Sequence, residues 1–128
     1  MIEAEAQAEV LTLALAGELD VGTQATTSAL IEEALKAAPS VLVLDLREVD
    51  FLGSTGLSVL IEAQRAAEAR NTVICLVANR RATLLPLELT GLTTMFPVFK
   101  TPEDAQRSAH VQREQTGVVP GVGPDVGQ

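Results

Sequence analysis

The chain has 128 residues, 47% of them hydrophobic, with nine Lys and Arg against 17 Asp and Glu, for a formal net charge of -8. That length suits one domain, and that apolar share suits an ordinary packed core. The charge argues against a phosphate-backbone ligand, the scarcity of aromatics (three, all Phe) argues against base-stacking platforms, and a single cysteine rules out a disulfide within the chain.

Residues 2–7 alternate as Ile-Glu-Ala-Glu-Ala-Gln, and residues 10–16, VLTLALA, alternate more strongly. Both read as strands, joined by a tight turn at Ala8-Glu9. Gly17 to Asp20 is expected to break the second run. From Thr23 the period changes: Leu30, Ile31, Ala34, Leu35 and Ala38 fall at helical spacing, and Pro39 ends the helix. VLVLDL, residues 41–46, is apolar on both faces, as a central strand should be. Arg47 to Asp50 reads as a polar turn. A helix follows the segment Gly53-Ser54-Thr55-Gly56, with Leu57, Leu60 and Ile61 on one stripe, and stops at Arg70-Asn71.

TVICLVA, residues 72–78, is another buried strand. Asn79 is expected to cap a short helix, disturbed by Pro86 and stopped by Gly91. Phe96 to Phe99 reads as a strand. Thr101-Pro102-Glu103-Asp104 carries the signals of a helix start: a Thr cap, Pro at the first helical position, and acids near the positive end of the dipole. That helix fades near Arg113. The remainder, rich in Gly and Pro without periodicity, reads as a disordered tail, so the chain divides into a domain over 1–113 and a tail over 114–128. The class is α/β: a mixed, mostly parallel sheet of about five strands with about four helices and right-handed crossovers. The acidic N-terminus has no basic region of a secretory signal, and no apolar run is long enough for a bilayer, so the expectation is a cytoplasmic protein without membrane contact.

Catalytic chemistry is sparse. One His (His110) and one Cys (Cys75) cannot build a Cys/His metal cluster. His110 reads as a solvated surface residue and Cys75 as a buried apolar side chain. Asp45, Glu48 and Asp50 could bind a hard cation, but such clusters are more often solvated loops. No metal and no cofactor is expected. Ser54 is different, because it stands where a strand gives way to a helix N-terminus, with Gly53 and Gly56 leaving little bulk around it. Capping chemistry alone makes Ser54 an N-cap. A helix N-terminus also stabilises an anion, so a phosphoserine there would be tolerated by its own domain and felt by whatever docks on it.

The stretch VLVLDLREVDFLGSTGLSVL (41–60), the earlier AGELD (16–20) and the later ELTGLTTMF (88–96) together resemble the signature of STAS domains in bacterial anti-sigma-factor antagonists. The resemblance covers residues 2–112 and implies the STAS fold. It implies a partner-switching cycle without enzymatic activity in the chain itself. The unphosphorylated antagonist binds an anti-sigma factor, a serine kinase of the histidine-kinase-like ATPase fold, and frees a sigma factor; the kinase phosphorylates the antagonist, and a serine phosphatase resets it. Carried over, the phosphoacceptor is Ser54, with Thr55 as a second candidate. The implied docking face comprises Glu18, Asp20, Gly53, Ser54, Thr55 and Gly56, although Glu18 and Asp20 read equally well as ordinary loop acids. The chain departs from the family at Gly53, where Asp is common. Alternatives are a ligand-sensing STAS module that is not phosphorylated, a relative of the cytosolic ends of anion transporters, and a hydrolase using the carboxylates around Asp45.

Overall fold

The computed structural model describes residues 3–7 and 10–109. Strands β1 (Glu3–Gln7), β2 (Val10–Leu19), β3 (Val41–Leu52), β4 (Val73–Val77) and β5 (Val98–Phe99) form one sheet in the order β1-β2-β3-β4-β5. The first pair is antiparallel and the other three pairs are parallel. Helices α1 (Gln24–Lys36), α2 (Ser54–Ala69), α3 (Arg81–Leu89), α4 (Leu92–Met95) and α5 (102–109) fill the connections, with a short 3-10 turn over Val21–Thr23. The mixed, mostly parallel sheet agrees with expectation, and α4 brings the helices to five. The turn at Ala8-Glu9, His110 and the Gly/Pro-rich tail lie outside the described residues.

Alternation along β3 sorts side chains by size. Leu42, Leu44 and Leu46 turn to one face, where they join Ile31, Leu35, Leu60, Leu87, Leu92 and Phe96 from the helical layer. Val41 and Val43 turn to the other, where they meet Val10, Cys75 and Val77 under Ala105 and Ala109 of α5. Small alanines let α5 lie close to the valine face. Gln106 Nε2 fixes it by donating to Thr12 Oγ1 at 3.0 Å. Each fully buried leucine stabilises by roughly 1.5–3 kcal/mol through apolar burial.

Two expected breaks are strand instead. Arg47 to Asp50 continues β3, and Gly17 to Leu19 continues β2. The register explains why they were misread. Ala14 faces Asp45 while Ala16 faces Glu48, and Gly17 faces Val49 while Glu18 faces Phe51. Each step inserts one extra residue into β3, a pair of bulges that destroys the period-two pattern. Gly17, on β2 beside the second bulge, has φ 89, a backbone that a side chain would resist.

The remaining signals mostly hold. Asn71 ends α2 with φ 60, and Gly91 ends α3 with φ 79. Thr101 Oγ1 accepts from the Asp104 amide at 3.1 Å, as a cap should. Asn79 is not the cap of α3; Arg80 holds that position, and the Asn79 amide instead donates to the Lys100 carbonyl at 3.1 Å.

Candidate functional site

The site grows from the C-terminal ends of β2 and β3, where Leu19 faces Leu52 and Glu18 faces Phe51. Beyond Leu52 the Gly53 amide donates to the Leu19 carbonyl at 3.3 Å, and the Gly53 carbonyl accepts from Leu57 at 2.9 Å to open α2. Gly53 is therefore the N-cap, in extended backbone, and Ser54 is the first helical residue. This corrects the capping reading of Ser54. Its side chain is exposed and makes no hydrogen bond to a described residue. With a cap that has no side chain and no acidic residue in the first turn, the helix itself supplies no negative group to the positive end of α2.

Two glycines set the geometry here for different reasons. A Cβ on Gly56 would lie 2.6 Å from the Leu19 carbonyl oxygen and 2.8 Å from Leu19 Cβ, so only glycine lets α2 approach the β2 backbone this closely. Gly56 is accordingly buried and positions the site without presenting a side chain to a partner. A Cβ on Gly53 would lie 2.8 Å from Phe51 Cε2, so the missing side chain is the space that the Phe51 ring occupies. Thr55 is half-buried beside the exposed Ser54.

The two acids after β2 play different parts. Asp20 closes a capping box: its Oδ1 accepts from the Gly22 amide at 3.0 Å, while its own amide donates to Thr23 Oγ1 at 3.1 Å. Thr23 Oγ1 in turn donates to the Glu18 carbonyl at 2.6 Å. Asp20 thus builds the turn, whereas the Glu18 side chain stands exposed opposite Phe51.

The structure disperses the Asp45, Glu48 and Asp50 cluster. Asp45, buried, is gripped by Arg47 through a two-pronged contact at 3.0 and 2.9 Å, and this partner raises the Arg47 pKa. Asp50 pairs with Arg80 at 3.4 Å, and the same guanidinium donates to the Val49 carbonyl at 2.6 Å. Among the described residues no group of three or more His, Cys, Asp or Glu is placed to hold a metal. Cys75 is a buried thiol whose pKa is pushed up to about 11 by desolvation, the opposite of an activated nucleophile. Between α1 and α2 runs an open groove lined by Ile31, Leu35, Val59 and Ala63, with Glu32 and Glu62 beside it. No helix among the described residues is long and apolar enough to cross a membrane.

Sequence reasoning missed two residues of this surface. Val21 is 77% exposed in the turn after β2, and Phe51 is 51% exposed at the end of β3. Phe51 faces out because Leu52 turns inward to meet Gly56, and the bulge before it leaves no local pattern that marks this.

Comparison with known proteins agrees with this architecture. The RsfB protein of Mycobacterium tuberculosis, named an anti-sigma-F factor antagonist, is 35% identical over 96 residues, spanning 75% of this chain and 78% of its own. A crystal structure of an anti-sigma factor antagonist from Mycobacterium paratuberculosis superposes with TM-score 0.80 at 31% identity, covering 86% of this chain and 93% of that one. The unphosphorylated form of the antagonist SpoIIAA shares the fold, with TM-score 0.72 at 20% identity over 94% of this chain and all of that one. The family model of the STAS domain matches residues 1–105, and the chain belongs to that family.

Proposed function

We propose that this chain is an anti-sigma factor antagonist: it binds an anti-sigma factor through the surface at the ends of β2 and β3, releases the sigma factor, and is switched off by phosphorylation of Ser54. The observation that carries the reading is Ser54 itself. It is exposed, without a hydrogen bond to any described residue, first in its helix and flanked by a glycine cap, so a kinase reaches the hydroxyl without disturbing packing. The likeness to RsfB, an anti-sigma-F factor antagonist, supports the antagonist part of the reading.

The switch follows from electrostatics. A phosphate on Ser54 adds about -1.5 to -2 charges. The positive end of α2 stabilises that charge by about 0.3–1 kcal/mol, so the domain itself keeps its shape. The partner meets the same charge, and its bulk, where its own apolar surface would have to close over the helix start, and the cost of desolvating the phosphate there drives it off. The kinase is the anti-sigma factor, of the histidine-kinase-like ATPase fold, and a serine phosphatase restores the binding form. The chain contributes no catalytic group of its own, acts in the cytoplasm, and needs neither cofactor nor metal.

The test is intact mass spectrometry after incubation with ATP and purified anti-sigma kinases from the source genome. Wild type is expected to gain one phosphate, and Ser54→Ala none, while Ser54→Ala still binds the kinase. Thr55→Ala should be phosphorylated like wild type. A kinase that binds wild type tightly and leaves it unmodified would overturn the switch and favour a constitutive or ligand-controlled antagonist.

A further inference from the structure

Three groups at the end of β3 arrange an aromatic ring beside the phosphoacceptor. Of the three phenylalanines, Phe96 is buried and Phe99 packs against the core cluster that holds Cys75; Phe51 is the one displayed, at 51% exposure. Its backbone sits opposite Glu18 and three residues before Ser54. The ring rests in the volume that any side chain at position 53 would claim, with Cε2 and Cζ at 2.8 and 3.1 Å from the place of a Cβ. On the β2 side, exposed Val21 adds a second apolar residue. Asp50, next to Phe51 in the chain, pairs with Arg80 at 3.4 Å, whereas exposed Glu18 makes no ion pair among the described residues.

We propose that Phe51 is the partner-selecting anchor of this surface, held in its displayed position because residue 53 is glycine, and that it inserts into an apolar socket of the anti-sigma factor with a basic rim facing Glu18. This rests on the antagonist reading above. An exposed aromatic ringed by polar groups fits the pattern of an interface hot spot, where one desolvated ring dominates and the rim excludes water. Charge complementarity selects the rim: the chain carries -8 overall, and the exposed carboxylate beside the ring is Glu18. The arrangement also explains why a substituent at 53 is dispensable here. A carboxylate at that position would displace the ring and place a charge where the socket closes.

The test is a binding cycle, by calorimetry, with the purified anti-sigma kinases named above and without ATP. Phe51→Ala is expected to weaken binding about thirtyfold while leaving the melting temperature near wild type, since the ring is at the surface. Gly53→Ala is expected to weaken binding several-fold in the wild-type background and not in a Phe51→Ala background, because at this surface what it moves is the ring, while the poorer N-cap lowers the melting temperature equally in both backgrounds. Phe51→Ala binding as tightly as wild type would overturn the anchor, and equal losses from Gly53→Ala in both backgrounds would overturn the role given to glycine. Ser54→Glu separates the two levels. If Ser54→Glu abolishes binding and Phe51→Ala binds as tightly as wild type, the switch stands and the anchor falls. If none of the kinases binds wild type, both fall.

Discussion

The two halves of β3 are one continuous strand with opposite duties. Val41 to Leu46 has every side chain buried and neighbours on both edges, β2 on one side and β4 on the other. Arg47 to Leu52 keeps only the β2 neighbour, passes through two bulges, and exposes Glu48, Asp50 and Phe51. The first half is core, paired and packed on both faces, and it fixes where the sheet lies. The second half is a ledge that anchors in the core through Val49 and Leu52 and turns Glu48, Asp50 and Phe51 outward, where another molecule can read them. Bulges convert one into the other, since each inserted residue resets which way the next side chain points.

The difference is measurable. Leu44→Ala, in the inner half and fully buried, should cost about 2–5 kcal/mol, by lost transfer energy plus a cavity. Glu48→Ala on the ledge should stay within about 0.5 kcal/mol. Urea unfolding monitored by circular dichroism reads both, and equal costs would erase the distinction between the halves.

Gly56 tests how firmly the ledge is held. A methyl at that position meets the Leu19 carbonyl, a backbone atom that cannot swing away as a side chain can. Gly56→Ala should therefore destabilise by about 1–3 kcal/mol, the usual range for overpacking. A change under about 0.5 kcal/mol would mean that the start of α2 is free to lift off β2.

A pH-dependent effect, absent at neutral pH, concerns Cys75, which faces Val43 of the inner half. The folded thiol's pKa, raised from 9.0 to about 11, favours the neutral form in the native state. The stabilisation is fully present below pH 9.0 and is lost as pH climbs through about 11, because the unfolded chain releases its proton first. At pH 8, native protein should resist a thiol reagent that labels it at once in denaturant. From pH 9 to 11, Cys75→Ala should lose less stability than wild type. Labelling of the native protein at the denatured rate would show the valine face to be open to solvent.

The same division decides what was legible in the sequence. The inner half announces itself, because a run such as Val41 to Leu44 has no other economical place than a central strand. So do the endings at Asn71 and Gly91, which rest on backbone conformations few residues adopt. The ledge was illegible as a strand: its buried residues after Leu46 are Val49 and Leu52, spaced by three, and the charges between them mimic a turn. Bulge positions depend on the partner strand, and nothing local in Arg47 to Asp50 marks them. Of the candidate site, Ser54 and its glycines were readable from spacing and family resemblance. Phe51 was not, because its exposure follows from register. The roles of Asp20 in a capping box and of Asp45 under Arg47 likewise depended on contacts that sequence distance does not reveal.

The strands stand in the sheet in the order in which they occur in the chain. Each newly made strand from β2 onward therefore finds its neighbour already at the growing edge, and no place in the sheet must be kept open for a segment still unmade. Glu18, Asp20, Phe51 and Ser54 all precede β4, and Arg80, which donates to the Val49 carbonyl, comes soon after it. On a ribosome, the surface proposed to meet the anti-sigma factor is thus complete in sequence before the final strand and the helix that closes the valine face have been translated.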